Sequence, residues 1–112
     1  MDCIFCKIAN KEIPTEFLYR SDKVIAFKDI NPMAPIHILI MPIKHIQNLN
    51  SFSDEDDSLV VEVFKVARTL AHELSINDSG YRVFVNNGED SGQIVQHIHF
   101  HLLGGKKLES GC

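Results

Sequence analysis

No apolar run in the 112-residue chain approaches the roughly 18 residues that a transmembrane helix requires. The N-terminus, Met1-Asp2-Cys3-Ile4-Phe5-Cys6-Lys7, lacks the basic, then apolar, then small-residue order of a signal peptide. A cytoplasmic protein is the expectation. No block of Lys or Arg exists either, and 11 basic residues against 15 acidic leave a net charge of −4. That balance argues against a broad nucleic-acid or membrane surface, because there is no basic stripe to release counterions. Any phosphate bound here must be held by local donors such as backbone N–H groups, Asn, His or a helix end. Cysteine is scarce: Cys3, Cys6 and Cys112 make an odd count without an export signal, which is not a disulfide framework. Cys3 and Cys6 form a C-x-x-C with no second copy. Zinc in a structural site takes four ligands, so His45 and a histidine from 97–101 are the available completions, and two buried thiols are the alternative. Neither an internal repeat nor a low-complexity segment is present, and the length suits one domain with one modest core.

What the chain does have is a strong alternation of helix and strand signals. A short helix is expected over 3–11, with Ile4, Phe5 and Ile8 on one side, ending before Pro14. Phe17-Leu18-Tyr19 and Val24-Ile25-Ala26-Phe27 flank Ser21-Asp22-Lys23 as a hairpin. The turn-rich stretch 29–35 leads into a strand over 36–41, stopped by Pro42. Ser53 is a good N-cap, followed by four acidic residues that favour a helix start. Leu59, Val63, Val66, Leu70 and Leu74 then recur at helical spacing, with Val60, Phe64, Ala67 and Ala71 widening the stripe, so a long helix runs to near Leu74. A strand over 81–86 and a polar, glycine-containing loop over 87–92 follow, then a last strand over 94–103. One long and one short helix with a strand majority in this order predict an α+β fold on an antiparallel sheet rather than βαβ units.

Half of the six histidines fall in Gln96-His97-Ile98-His99-Phe100-His101-Leu102. Alternation with period two predicts His97, His99 and His101 on one strand face, about 6–7 Å apart, and Ile98, Phe100 and Leu102 in the core. Two chemistries compete for such a row. Histidines two apart on a strand are workable zinc ligands, but residues 94–105 contain no carboxylate, and Glu89 and Asp90 lie in the preceding loop, which weakens a zinc-dependent hydrolase. As a covalent site, a central imidazole attacks phosphorus while its neighbours donate to a non-bridging oxygen or protonate a leaving group; an ordinary value near 6.5 keeps the nucleophile neutral at physiological pH. The loop Asn86-Asn87-Gly88-Glu89-Asp90-Ser91-Gly92-Gln93 runs into this segment and offers amide and backbone donors. His37 is a lone polar residue on an apolar strand and can buttress the three; His72, near the end of the long helix, reads as a surface residue compatible with the helix dipole.

These residues resemble the histidine triad (HIT) family, in particular its Hint branch of nucleotide-binding hydrolases. The likeness extends beyond the histidines to Ile4-Phe5-Cys6-Lys7-Ile8, Lys11-Glu12-Ile13-Pro14, the stretch from Phe27 to His37, Met41-Pro42-Ile43-Lys44-His45 and Gly92 to Gly105, in family order. It covers about residues 3–105 of a single domain spanning 1–112, with 106–112 as a short tail. The resemblance implies a five-stranded antiparallel sheet, a homodimer, and hydrolysis of purine nucleoside phosphoramidates (AMP or GMP conjugates), more slowly of acyl-adenylates, through a nucleotidyl-histidine intermediate. It implies His99 as nucleophile and His101 as the phosphate contact, with His97 and His37 completing the hydrogen-bonded set. Asp29 would hold the ribose beside Ile30. Ile4, Phe5, Ile8 and Phe27 would sandwich the base, and Asn86 with the Gly92-Gln93-Ile94 backbone would hold the phosphate. No metal is required for that chemistry. Some members carry a structural zinc at the positions of Cys3, Cys6, His45 and His97.

Two departures from the family stand out. Hint members usually have serine at Ile94, near the leaving group, and often a tryptophan in a longer tail; this chain has no Trp and ends nine residues after Leu103. These departures motivate a non-catalytic nucleotide-binding or interaction protein as the alternative function.

Overall fold

A computed structural model describes residues 3–110; Met1, Asp2, Gly111 and Cys112 lie outside the described residues. Five strands, β1 (Tyr19–Arg20), β2 (Val24–Lys28), β3 (Ile36–Pro42), β4 (Tyr81–Val85) and β5 (Phe100–Gly104), form one sheet in the order β1-β2-β3-β5-β4. All neighbours are antiparallel. With two helices, α1 (Ile4–Ala9) and α2 (Asp57–Glu73), this is the α+β architecture expected from the sequence.

Alternation along the strands gives the sheet two buried faces. Val24, Ala26, Ile38, Ile40, Phe100 and Leu102 pack on one side with Leu59, Val63, Val66 and Leu70 of α2. Ile25, Phe27, Leu39 and Met41 face the other way and pack with Phe5, Ile8 and Ala9 of α1. Cys3 caps α1, its Sγ accepting the Cys6 N–H at 3.4 Å. The acidic start of α2 is built as foreseen, with one refinement. Ser53 precedes a 3₁₀ turn at Asp54–Asp56, and its N–H donates to Asp56 Oδ2 at 3.0 Å while Lys44 Nζ donates to Asp56 Oδ1 at 2.7 Å. Phe64, expected in the buried stripe, is 51% exposed although its ring meets that of Phe100 edge-on at 6.0 Å.

The histidine segment requires a correction. The expected strand over 94–103 is regular only from Phe100. Ladder pairing with β3 runs from Ile36↔Gly104 to Ile40↔Phe100, and β3 ends at Pro42, which has no N–H to donate. The Ile98 N–H instead reaches Ile46 O in the loop after β3 at 2.7 Å. Alternation survives without the ladder: Ile98, Phe100 and Leu102 are all in the core. Leaving the sheet early carries His97 away from His101 toward the N-terminal helix.

Candidate active site

On the α1 side of the sheet lies a cavity of about 720 Å³. Its wall is built by cross-strand register. His101 of β5 is opposite Leu39 of β3 and Phe84 of β4, so the three share a row on one face, with His37 on the diagonal. His37, His99 and His101 line the cavity, as do Ile4, Phe5, Ile8, Phe27, Asp29, Ile30, Asn86, Gly92 and Ile94. Ile30 and Ile94, at 90% and 89% exposed, stand at its rim. Gly92 turns the loop at φ 88, a conformation that side chains disfavour. Gln93 is placed differently from its loop neighbours. Its side chain turns inward, accepting the Gly88 N–H at 2.8 Å and donating to Gln47 O at 2.7 Å, so it braces the loop.

Hydrogen bonding fixes the protonation of each ring. The Met33 N–H donates to His37 Nδ1 at 3.0 Å, so in the neutral ring the proton is on Nε2. His37 Nε2–H then points at His101 Nδ1, 2.9 Å away, with Asp29 Oδ2 at 3.4 Å. His101 therefore carries its proton on Nε2, a buried atom without a hydrogen-bond partner among the described residues. A buried donor that lines a cavity is placed to bond an acceptor on a molecule bound there. His99 has the opposite arrangement: Nδ1–H donates to the His97 carbonyl at 2.8 Å, leaving the Nε2 lone pair free. Its ring is steadied edge-on by Phe5 at 4.9 Å. One ring thus offers a lone pair and its neighbour, 5.0 Å away between centroids, offers a proton. The same bonding makes the trio Asp29, His37 and His101 a poor metal site, since His37 Nε2 cannot ligate while it holds the ring's only proton.

Burial keeps these rings neutral. It holds His99 and His37 below the usual imidazole value, Asp29 opposing the shift in both, and takes His101 down to about 4, with the charges of His99 and His37 adding to the effect. Between about 4 and the ordinary value near 6.5, the unfolded chain binds protons that folded His101 refuses, so stability rises with pH across that window and is lost as pH falls through it. The melting temperature is expected to be lower at pH 5 than at pH 7; an equal or higher value at pH 5 would contradict neutral buried rings.

His97 lies elsewhere. Wholly buried, it does not line the cavity; its Nε2 donates to Pro42 O at 2.8 Å, and Nδ1 turns its lone pair toward Cys3 Sγ (3.5 Å), Cys6 Sγ (3.6 Å) and His45 Nδ1 (3.2 Å). Cys6 Sγ is 3.4 Å from His45 Nδ1. Tetrahedral zinc bonds of roughly 2.0–2.3 Å require nitrogen–sulfur separations of about 3.5 Å and nitrogen–nitrogen separations of about 3.3 Å, so the donor set fits zinc. Burial, then Cys3 beside it, pushes the Cys6 thiol up to about 11, a proton that a bound cation would displace. Of the three histidines, then, His99 and His101 reach the cavity by their rings, and His97 reaches His99 only by its carbonyl. Phe84 and Met33 were not foreseen. Phe84 becomes visible only when β4 is known to flank β5, and the Met33 contact is a backbone bond that no side-chain pattern encodes.

A free imidazole lone pair of fixed direction, beside a buried N–H donor in a cavity of about 720 Å³, can attack an electrophile while the donor meets the charge that develops. Residues 10–108 match the family model described as HIT domain, and the chain belongs to that family. It is 43% identical over 107 residues to a purine nucleoside phosphoramidase of Escherichia coli strain K12, covering 96% of this chain and 90% of that protein. Among solved structures, a histidine triad protein from Clostridium difficile is 47% identical with a TM-score of 0.94, covering 98% of this chain and 96% of the other. A HIT family hydrolase from Clostridium thermocellum is 41% identical, also with a TM-score of 0.94, over 97% of this chain and 95% of the other.

Proposed function

We propose that this HIT protein is a hydrolase of purine nucleoside 5′-phosphoramidates, and more slowly of acyl-adenylates, acting through a nucleotidyl-histidine intermediate on His99. The observation that carries the reading is the pair of opposite tautomers: His99 with Nε2 bare, His101 with Nε2 protonated and unpartnered. The His99 Nε2 lone pair attacks phosphorus as the P–N bond breaks, and the departing nitrogen takes a proton from solvent at the cavity mouth, a proton that the hydrolytic water gives back in the second step. Water then cleaves the N–P bond to His99 and releases the nucleoside monophosphate. His101 Nε2–H donates to a phosphoryl oxygen as charge develops, and His37 holds the His101 tautomer. Asp29 takes the ribose hydroxyls beside Ile30; Ile4, Phe5, Ile8 and Phe27 enclose the base; Asn86 and the Gly92-Gln93-Ile94 backbone hold the phosphate. The chemistry runs on imidazoles alone. Support comes from the lining of the cavity and from the name of the E. coli relative.

The reaction assigns no role to the side chains of Cys3, Cys6, His45 and His97, which on this reading hold a structural zinc fastening α1 to the histidine segment. A homodimer completes the proposal. β4 ends the sheet, and half-exposed Phe64 of α2 packs on Phe100, whose ladder partner is Val85 of β4. An open strand edge beside an exposed aromatic ring suits a symmetric contact, and light scattering should report twice the 12.7 kDa chain mass.

The function is tested by acid-quenching turnover of an AMP amide and digesting the protein. One AMP attached to the peptide bearing His99 is expected. Turnover that proceeds with no labelled peptide, or with the label on another residue, removes the covalent mechanism.

A further inference from the structure

Phe84 lies outside the set of residues given chemistry above, yet its ring is stacked flat on His101, with centroids 4.4 Å apart and planes 6° from parallel. Among the described residues no other aromatic contact of His101 has this form. His37 and His99 meet the ring tilted by 41° and 54°. Phe84 also lines the cavity. The His37 hydrogen bond holds His101 at one atom, Nδ1, and a ring held at one atom can still rock about that bond. Such rocking would swing Nε2, on the far side of the ring, away from a ligand acceptor. A second aromatic plane lying flat against the imidazole opposes that motion. Ladder pairing brings the two side chains together, because Phe84 and His101 are direct antiparallel partners.

We infer that Phe84 is a positioning residue, whose stacked ring fixes the His101 imidazole plane so that Nε2–H addresses the phosphoryl group. The inference rests on the proposed function, and it has a readout that does not need turnover. Misdirecting a donor by a fraction of an ångström to an ångström lowers rate far more than it lowers substrate affinity. Phe84→Leu keeps an apolar side chain of similar bulk without a ring to stack, and Phe84→Tyr keeps the ring.

The experiment compares wild type, Phe84→Leu and Phe84→Tyr in steady-state turnover of an AMP amide. In parallel, NMR follows the His101 ring signals with and without AMP, and light scattering checks that assembly is unchanged. For Phe84→Leu we expect kcat to fall about 10- to 100-fold with KM little changed. The His101 ring protons should move downfield as the shielding of the stacked phenyl is lost, and the response of the Nε2 signal to AMP should shrink. Phe84→Tyr should restore kcat and the shielded shifts. The inference is overturned if Phe84→Leu loses the shielding yet keeps wild-type kcat, or if Phe84→Tyr is as slow as Phe84→Leu. It is also overturned if the Nε2 response to AMP is the same in all three proteins. Failure of the proposed function looks different: wild type itself would not cleave the P–N bond, while the shielding and the Nε2 response would still report on Phe84.

Discussion

His99→Ala is expected to lower kcat by on the order of 10⁴–10⁶ while leaving AMP binding nearly intact, because among the described residues lining the cavity it removes the one imidazole lone pair free to attack. His101 cannot substitute, since its Nδ1 accepts from His37 and its Nε2 bears the proton. His97 cannot substitute either, with Nε2 bonded to Pro42 O and Nδ1 turned to the cysteines. His37 has Nδ1 occupied by the Met33 N–H. Loss of His101 should cost less, about 10²–10³, the scale of a single transition-state hydrogen-bond donor. The check is single-turnover hydrolysis of an AMP amide alongside AMP titration by calorimetry. Wild-type turnover in His99→Ala, or an equal loss in both variants with AMP binding abolished, would defeat the assignment of the nucleophile.

The second large effect concerns the cluster at the other side of His97. Purified protein should contain about one zinc per chain, and Cys3→Ser combined with Cys6→Ser should abolish it. Binding energy at a structural site is folding energy, and each kcal/mol is worth about 4 °C for a domain of this size. A loss of about 3 kcal/mol or more would lower the melting temperature by 10 °C or more. A chelator should lower the wild-type melting temperature and leave the double variant unmoved, which separates metal loss from the packing cost of the substitutions. Wild-type protein refolded with zinc that retains none, and whose melting ignores the chelator, would show that these are only packed, unligated thiols.

Much of this architecture is written plainly along the chain. The acidic cap before Asp57 and the apolar stripe from Leu59 to Leu70 specify α2, because both are local signals. Period-two alternation through Ile98, Phe100 and Leu102 indicates which side chains enter the core, and it holds even where the ladder stops. The stop itself is a tertiary effect. It depends on Pro42 lying across from the segment before Phe100, and on Ile46 O being close enough to capture the Ile98 N–H. Phe64 shows the limit of a helical stripe, which says which face is apolar and not how far the sheet beneath it extends. Within the site, the residue types are legible and the proton positions are not. The tautomers of His37 and His99 are set by main-chain groups, the Met33 N–H and the His97 carbonyl, whose places only folding decides.

The role of residue 97 has an evolutionary consequence. What reaches His99 is the carbonyl oxygen at this position, and every amino acid has one; what reaches the cysteines is the imidazole, which only histidine has. The two sites meet in one residue but answer to different parts of it. A descendant could exchange Cys3, Cys6, His45 and the His97 side chain for an apolar plug of matching volume, give up the four-donor set, and keep the proton on His99 Nδ1 where it is. The donor cluster and the bond that orients His99 can therefore drift apart within this fold, one mutating freely while the other is conserved.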